Sequence, residues 1–187
     1  MRHAIRIAVL AATAALGLAG AANAFSLTSS SFKEAGPIGR QYAGDQAGNA
    51  NCLGMNVSPS LSWSGAPEGT KSFALEMVDL EGRNGTGVNH FVAYGILATV
   101  MGFAEGELSK PSPKYVGGKS TQGLATFMGP CPPAGTGAHH YSFVLIATDL
   151  EPAALPPGLT REELMAKLVD GNHAKLAAGL TGLFAHP

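Results

Sequence analysis

Ser72-Phe73-Ala74-Leu75-Glu76-Met77-Val78-Asp79 decides the class of fold. Phe73, Leu75 and Met77 take every second position, the period of a strand with one buried face. The stretch ends on a carboxylate. Residues 80–89 are rich in Gly and Asn and must turn. His90-Phe91-Val92-Ala93-Tyr94-Gly95-Ile96 is then the next strand. Tyr141 to Thr148 is aromatic, β-branched and almost continuously apolar, which suits a strand covered on both faces. Working outward, residues 25–32 alternate in the manner of a first strand. Residues 34–56 and 105–140 hold much of the remaining Gly and Pro and read as loops. Thr160-Arg161-Glu162-Glu163 has the spacing of a capping box. Leu164 and Leu168 follow on one helical face, and Gly171 ends that helix. Residues 173–178 suit a second short helical turn, and 180–184 a closing strand. There is no internal repeat and no flexible linker. The expectation is one mostly β, antiparallel domain with a few peripheral helices.

Composition narrows the function. The 187 residues carry 12 Lys+Arg against 13 Asp+Glu, and only 13% are charged, about half the usual ~25%. A nucleic-acid binder that works through a strongly basic face is excluded. With 45% hydrophobic residues the chain can build a core, so disorder is excluded too. Arg2, His3 and Arg6 precede an uncharged run from Ile7 to Gly20, and Ala22-Asn23-Ala24 follows. This is the pattern of a secretory signal peptide, residues 1–24. The run is shorter than the ~20 residues a membrane span needs, so no transmembrane anchor is expected after cleavage. Removing 24 of the 187 residues leaves 163, and losing Arg2 and Arg6 takes the formal charge from −1 to −3. Residues 25–187 would then be a single domain in the periplasm or outside the cell. In such an oxidising space an even pair of cysteines, Cys52 and Cys131, suits a structural disulfide. It would close a long loop and contribute roughly 4 kcal/mol on the chain-entropy model.

Because charge is scarce, the ionisable groups at strand ends stand out. Asp79 ends one strand, His90 opens the next, and His139 opens the strand after the Gly129–Gly137 loop. If the three strands are neighbours, these residues meet at one edge of the sheet. Two imidazoles and the backbone donors of a Gly/Pro loop suit an anion such as phosphate. Asp79 could orient an imidazole, accept from an ammonium group or simply cap a turn, and His90 could equally be a half-buried packing residue. His140 should point to the opposite face from His139. His173 either faces the same pocket or packs, and His186 is too near the end to count. Two histidines and a carboxylate also resemble a metal site, but helical i,i+4 ligand spacing is missing and no metal is expected. Neither a nucleophile elbow, a P-loop nor a Rossmann fingerprint is present, so no cofactor is expected. A Cys131 nucleophile beside His139 competes with the disulfide.

Two longer stretches carry a resemblance. Asn56-Val57-Ser58-Pro59-Ser60-Leu61-Ser62-Trp63, with Ala66-Pro67-Glu68-Gly69-Thr70-Lys71 after it, resembles the first signature of the phosphatidylethanolamine-binding protein (PEBP) family. Gly129-Pro130-Cys131-Pro132-Pro133 through His139-His140-Tyr141-Ser142-Phe143 resembles the second. Phe25 to Phe32 is similar to the opening of the bacterial, Raf-kinase-inhibitor-like branch. Asn172-His173-Ala174 leading to Leu180-Thr181-Gly182 looks like a degraded copy of the family's C-terminal helix and last strand. The resemblance implies a β-sandwich of a large and a small sheet. It also implies a pocket for phosphate or a phosphorylethanolamine headgroup, carried over here onto Asp79, His90, Gly129, Pro133, His139 and Tyr141. Asp79-Leu80-Glu81-Gly82-Arg83 departs from the family's Asp-Pro-Asp-Ala-Pro, which puts ligand preference in question. Phe91 stands where bacterial relatives often have Trp, and His140 where eukaryotic members often have Arg. The expected function is an exported, non-enzymatic binding protein for a small anion or phospholipid headgroup. The alternatives are a module that inhibits a kinase, protease or host factor, and a weak hydrolase using His139 or Cys131.

Overall fold

In the computed structural model, residues 24–187 are described, and the expected signal peptide lies almost wholly outside them. Two sheets form the sandwich. The small one pairs β1 (Ser26–Thr28) with β3 (Leu61–Ser64), and β3 with β6 (Gly102–Phe103). The large one has six strands. Its centre is β4 (Ser72–Asp79), flanked by β5 (Val88–Leu97) and β8 (Ala138–Thr148), all antiparallel. β7 (Val116–Gly117) lies outside β5. β9 (Ala174–Ala185) lies outside β8, and β2 (Gly36–Pro37) runs parallel to β9 at the edge.

The period-2 reading of 72–79 holds. Phe73, Leu75 and Met77 are fully buried between the sheets with Phe143, Leu145, Trp63 and Phe103. The other face of the large sheet, Ala74, Val92, Tyr94 and Ile146, is covered by Leu164 and Leu168 of the helix at Arg161–Asp170. This is why Tyr141–Thr148 reads as apolar on both faces. The helix begins with the expected capping box. Thr160 Oγ1 accepts from Glu163 N at 3.2 Å, and Glu163 Oε2 accepts from Thr160 N at 2.9 Å.

Several expectations are corrected. Residues 173–178 are not helical: Ala174 onward is strand, paired with β8 from Thr148 to Ala138. A full antiparallel ladder outweighs the helix preference of the alanines there. His173 therefore sits at the far end of β8, where its Nδ1–H donates to Asp149 Oδ1 at 2.8 Å, away from the candidate pocket. The first strand is three residues rather than eight, because Ser29 and Ser31 leave the ladder to bond Ser60. The stretch 61–64, part of the first signature, is a strand. The long loops hold short pieces of structure, 3-10 turns at Arg40–Tyr42 and Glu107–Ser109 and the strands β2 and β7.

Candidate functional site

Neighbouring strands bring Asp79, His90, His139 and Tyr141 to one end of the layer between the sheets. Asp79 is the register partner of Tyr141 across β4 and β8. His90 arrives by a different device. Met77 pairs with Phe91, but Val78 pairs with Asn89, so the β4–β5 ladder slips at His90. Simple alternation from Phe91 would aim His90 at the helix-covered face. The bulge re-aims it to the same face as Asp79, a usual role of bulges beside sites.

Asp79 is buried and holds three hydrogen bonds. Its Oδ1 accepts from Glu81 N at 3.0 Å and Gly82 N at 2.9 Å. Its Oδ2 accepts from His139 Nδ1–H at 2.8 Å. The turn-cap and imidazole-orienting readings of Asp79 are therefore both met by one side chain. On its other side, His139 Nε2 lies 3.0 Å from Thr136 Oγ1, whose one proton is shared between that contact and Pro133 O at 2.8 Å. The ring is held at both nitrogens.

His90 donates from Nδ1–H to Met128 O at 3.0 Å. Burial is the main influence on it and pushes its pKa down, against the opposing pull of Met128 O and Asp79. The neutral ring thus keeps its proton on Nδ1 and a lone pair on Nε2. The Tyr141 hydroxyl is buried and finds no hydrogen-bond partner among the described residues. Burial, with Asp79 nearby, holds its pKa far above the usual tyrosine value, so it remains an O–H donor. The His90 ring meets Tyr141 edge-on at 5.3 Å, and the His139 ring stacks on it at 6.4 Å.

These four side chains and Pro133 line a cavity of about 390 Å³. Gly129, carried over from the resemblance, does not line it. Its N–H donates to Asn56 Oδ1 at 2.8 Å, and a methyl there would run into the Tyr42 carbonyl. Gly129 allows a close backbone crossing behind the pocket. Asn56 also donates from Nδ2 to Phe127 O at 3.2 Å. It has a φ of +52°, a conformation asparagine tolerates better than most residues. Reading single residues misses it, although it opens the first signature. His140 points away, and its Nδ1–H donates to Glu81 Oε1 at 2.6 Å. Cys131 lines the cavity but is bonded to Cys52, with the Cα atoms 4.7 Å apart, so it offers no thiolate nucleophile. In place of the family's proline-containing loop, Gly82–Gly85 is one short turn, with Arg83 and Asn84 at positive φ. Arg83 reaches the cavity rim.

Comparisons with known proteins identify the family. The family model for phosphatidylethanolamine-binding protein matches residues 28–182. The Escherichia coli UPF0098 protein YbcL is 38% identical over 136 residues, covering 70% of this chain and 72% of the relative. A UPF0098 protein of Aquifex aeolicus is 35% identical over 141 residues, covering 75% and 77%. The crystal structure of E. coli YbcL, described as a member of the mammalian PEBP family, superposes with a TM-score of 0.76 at 31% identity. That match covers 86% of this chain and 97% of YbcL. A PEBP homologue of Chlamydia trachomatis gives 0.73 at 30% identity, over 88% and 99%. A family model matched over residues 28–182, a bacterial relative 38% identical over 136 residues and a shared two-sheet fold place this protein in the phosphatidylethanolamine-binding protein family, within its bacterial branch.

Proposed function

We propose that this protein is an exported, non-enzymatic binding protein that holds a small oxyanion of the phosphate or phosphorylethanolamine type at Asp79, His90, His139 and Tyr141. The observation that carries the reading is Tyr141, which lines a cavity with two histidines and whose buried hydroxyl has no hydrogen-bond partner among the described residues. A buried unpaired donor is costly, and an oxyanion would satisfy it. Asp79 keeps His139 in place and gives an ammonium group an acceptor. Export is supported by the signal-peptide pattern and by a Mycobacterium tuberculosis relative, LppC, whose name marks it as a lipoprotein candidate. Among the described residues no helix is long and apolar enough to cross a membrane. N-terminal sequencing of the protein recovered from the periplasm or medium tests export: the expected first residue is Phe25, and an intact Met1 speaks against it.

The anion reading predicts a pH dependence. His90 Nε2 can donate to an oxyanion only after taking up a proton. Burial lowers its pKa in the empty site, and a bound anion raises it. Between those two values binding takes up a proton, so affinity rises as pH falls, by up to about tenfold per pH unit. Sulfate is the useful probe beside phosphate and O-phosphorylethanolamine, because its own charge is constant over that range. Titration followed by the His90 and His139 ring resonances is expected to show saturation that tightens on acidification. No perturbation of either ring at millimolar ligand would remove the proposal.

A further inference from the structure

A second, larger cavity of about 460 Å³ lies at the same end of the large sheet but on the opposite, helix-covered face. Val78 and Asn89 line it, where Asp79 and His90 line the first. Three cations converge on it. Lys119 comes from the strap that follows β7, Arg161 from the first turn of the helix Arg161–Asp170, and Arg83 from the turn after β4. Lys119 and Arg83 form no salt bridge among the described residues. Glu162 is the single carboxylate in the wall.

Arg161 is held in an unusual way. Glu76 lies in the middle of β4 on the helix-covered face, and only 5% of its side chain is exposed. Its one partner among the described residues is Arg161. Nη2 donates to Oε1 at 3.2 Å, and Nε stands 2.8 Å from Oε2 without hydrogen-bond alignment. A buried ion pair of this kind gives little net stability. It does pin one edge of a guanidinium whose fork carries five donors, and the side chain remains 36% exposed. The positive end of the helix adds to the same corner. Its capping box satisfies Glu163 N, the parallel bridge between Lys119 and Thr160 engages the backbone beside Arg161, and the Glu162 N–H precedes the first intrahelical bond. The strap that carries Lys119 is itself fixed, by Lys119 N donating to Leu159 O at 2.8 Å and by Thr121 pairing with Asn89. Val78, Val88 and the exposed Leu80 supply an apolar wall.

We infer that this cavity is a second anion site, in which Arg161, Lys119 and Arg83 hold a multiply charged phosphate group carried on a small organic body. Arg161, held by Glu76, binds an oxyanion with less ordering cost than a free side chain does, and the exposed Lys119 and Arg83 add charge beside it. The inference does not rest on the Asp79–His139 pocket, although Arg83 and Val88 border both cavities.

Inorganic pyrophosphate is the probe, titrated at low ionic strength into isotope-labelled protein. Saturable shifts are expected at the amides of Lys119, Thr121, Arg161 and Glu162. Lys119→Glu, at an exposed position, is expected to weaken them by about tenfold or more. His139→Ala disables the first pocket and is expected to leave these four amides responding as before. Three results would overturn the inference: no shift at these amides, shifts that rise without saturating, or saturable shifts that Lys119→Glu leaves unchanged. Because the reporters of the two cavities are different residues, failure of either site is read separately from failure of the other.

Discussion

Reducing the Cys52–Cys131 bridge is expected to lower unfolding free energy by about 4 kcal/mol. The two cysteines are 79 residues apart, so the bridge removes much of the unfolded chain's freedom. It ties the loop after the Arg40–Tyr42 turn to the Gly129–Gly137 loop that carries Pro133 and Thr136. The packing around it leaves no slack, since a methyl on Gly44 would meet Cys131 Sγ. The reduced protein is nevertheless expected to remain folded. Gly44 N still donates to Pro130 O at 2.9 Å, and Asn56 still clamps Gly129 and Phe127. Urea unfolding with and without reductant measures the difference, and the double Cys→Ser variant should reproduce it. A loss below about 1 kcal/mol would mean that these other tethers already confine the loops.

Asp79→Ala is expected to cost about 2–4 kcal/mol, the order expected when buried donors lose a shared acceptor. The substitution leaves Glu81 N and Gly82 N without their acceptor and releases His139 Nδ1 at once. Anion binding is expected to disappear with it, since the His139 ring loses the group that sets its orientation. Asp79→Asn separates the two roles. It can keep an oxygen for the turn N–H groups while losing the carboxylate opposite His139. Its stability loss is expected to be about half as large, with binding still reduced. Denaturant midpoints for both variants, alongside phosphate titration, test this. Equal stability losses in the two would show that the imidazole contact, and not the turn, carries the energy.

Much of the site was legible in the chain. Asp79, His90 and His139 stand out because charge is scarce and each lies at a strand end. Tyr141 came only through the resemblance to the second signature. Other parts were not legible. Thr136 and Arg83 carry no local pattern that marks them: Thr136 meets Pro133 and His139 only once the loop takes its shape, and Arg83 reaches the cavities only once the turn after β4 is placed. Gly129 reads as part of the pocket loop, but the reason for its absent side chain is seen only once Tyr42 is placed behind it. Residues 173–178 show the same limit for local propensity, which favoured a helical turn where β8 imposes a strand.

The class of fold is written along the chain, because the period of 72–79 and the two-sided apolar run 141–148 leave little choice for a buried sheet. The family is written there too, through two long signatures in order. Which face His90 serves follows only from the assembled sheet, because a one-residue slip in the β4–β5 ladder reverses an alternation that local sequence would predict. Only the tertiary structure brought Lys119 and Arg161 beside Arg83 across the far side of the same sheet. Strand period is a local property of the chain. The register between strands, and the packing of a distant helix against them, are settled by what the whole core can bury.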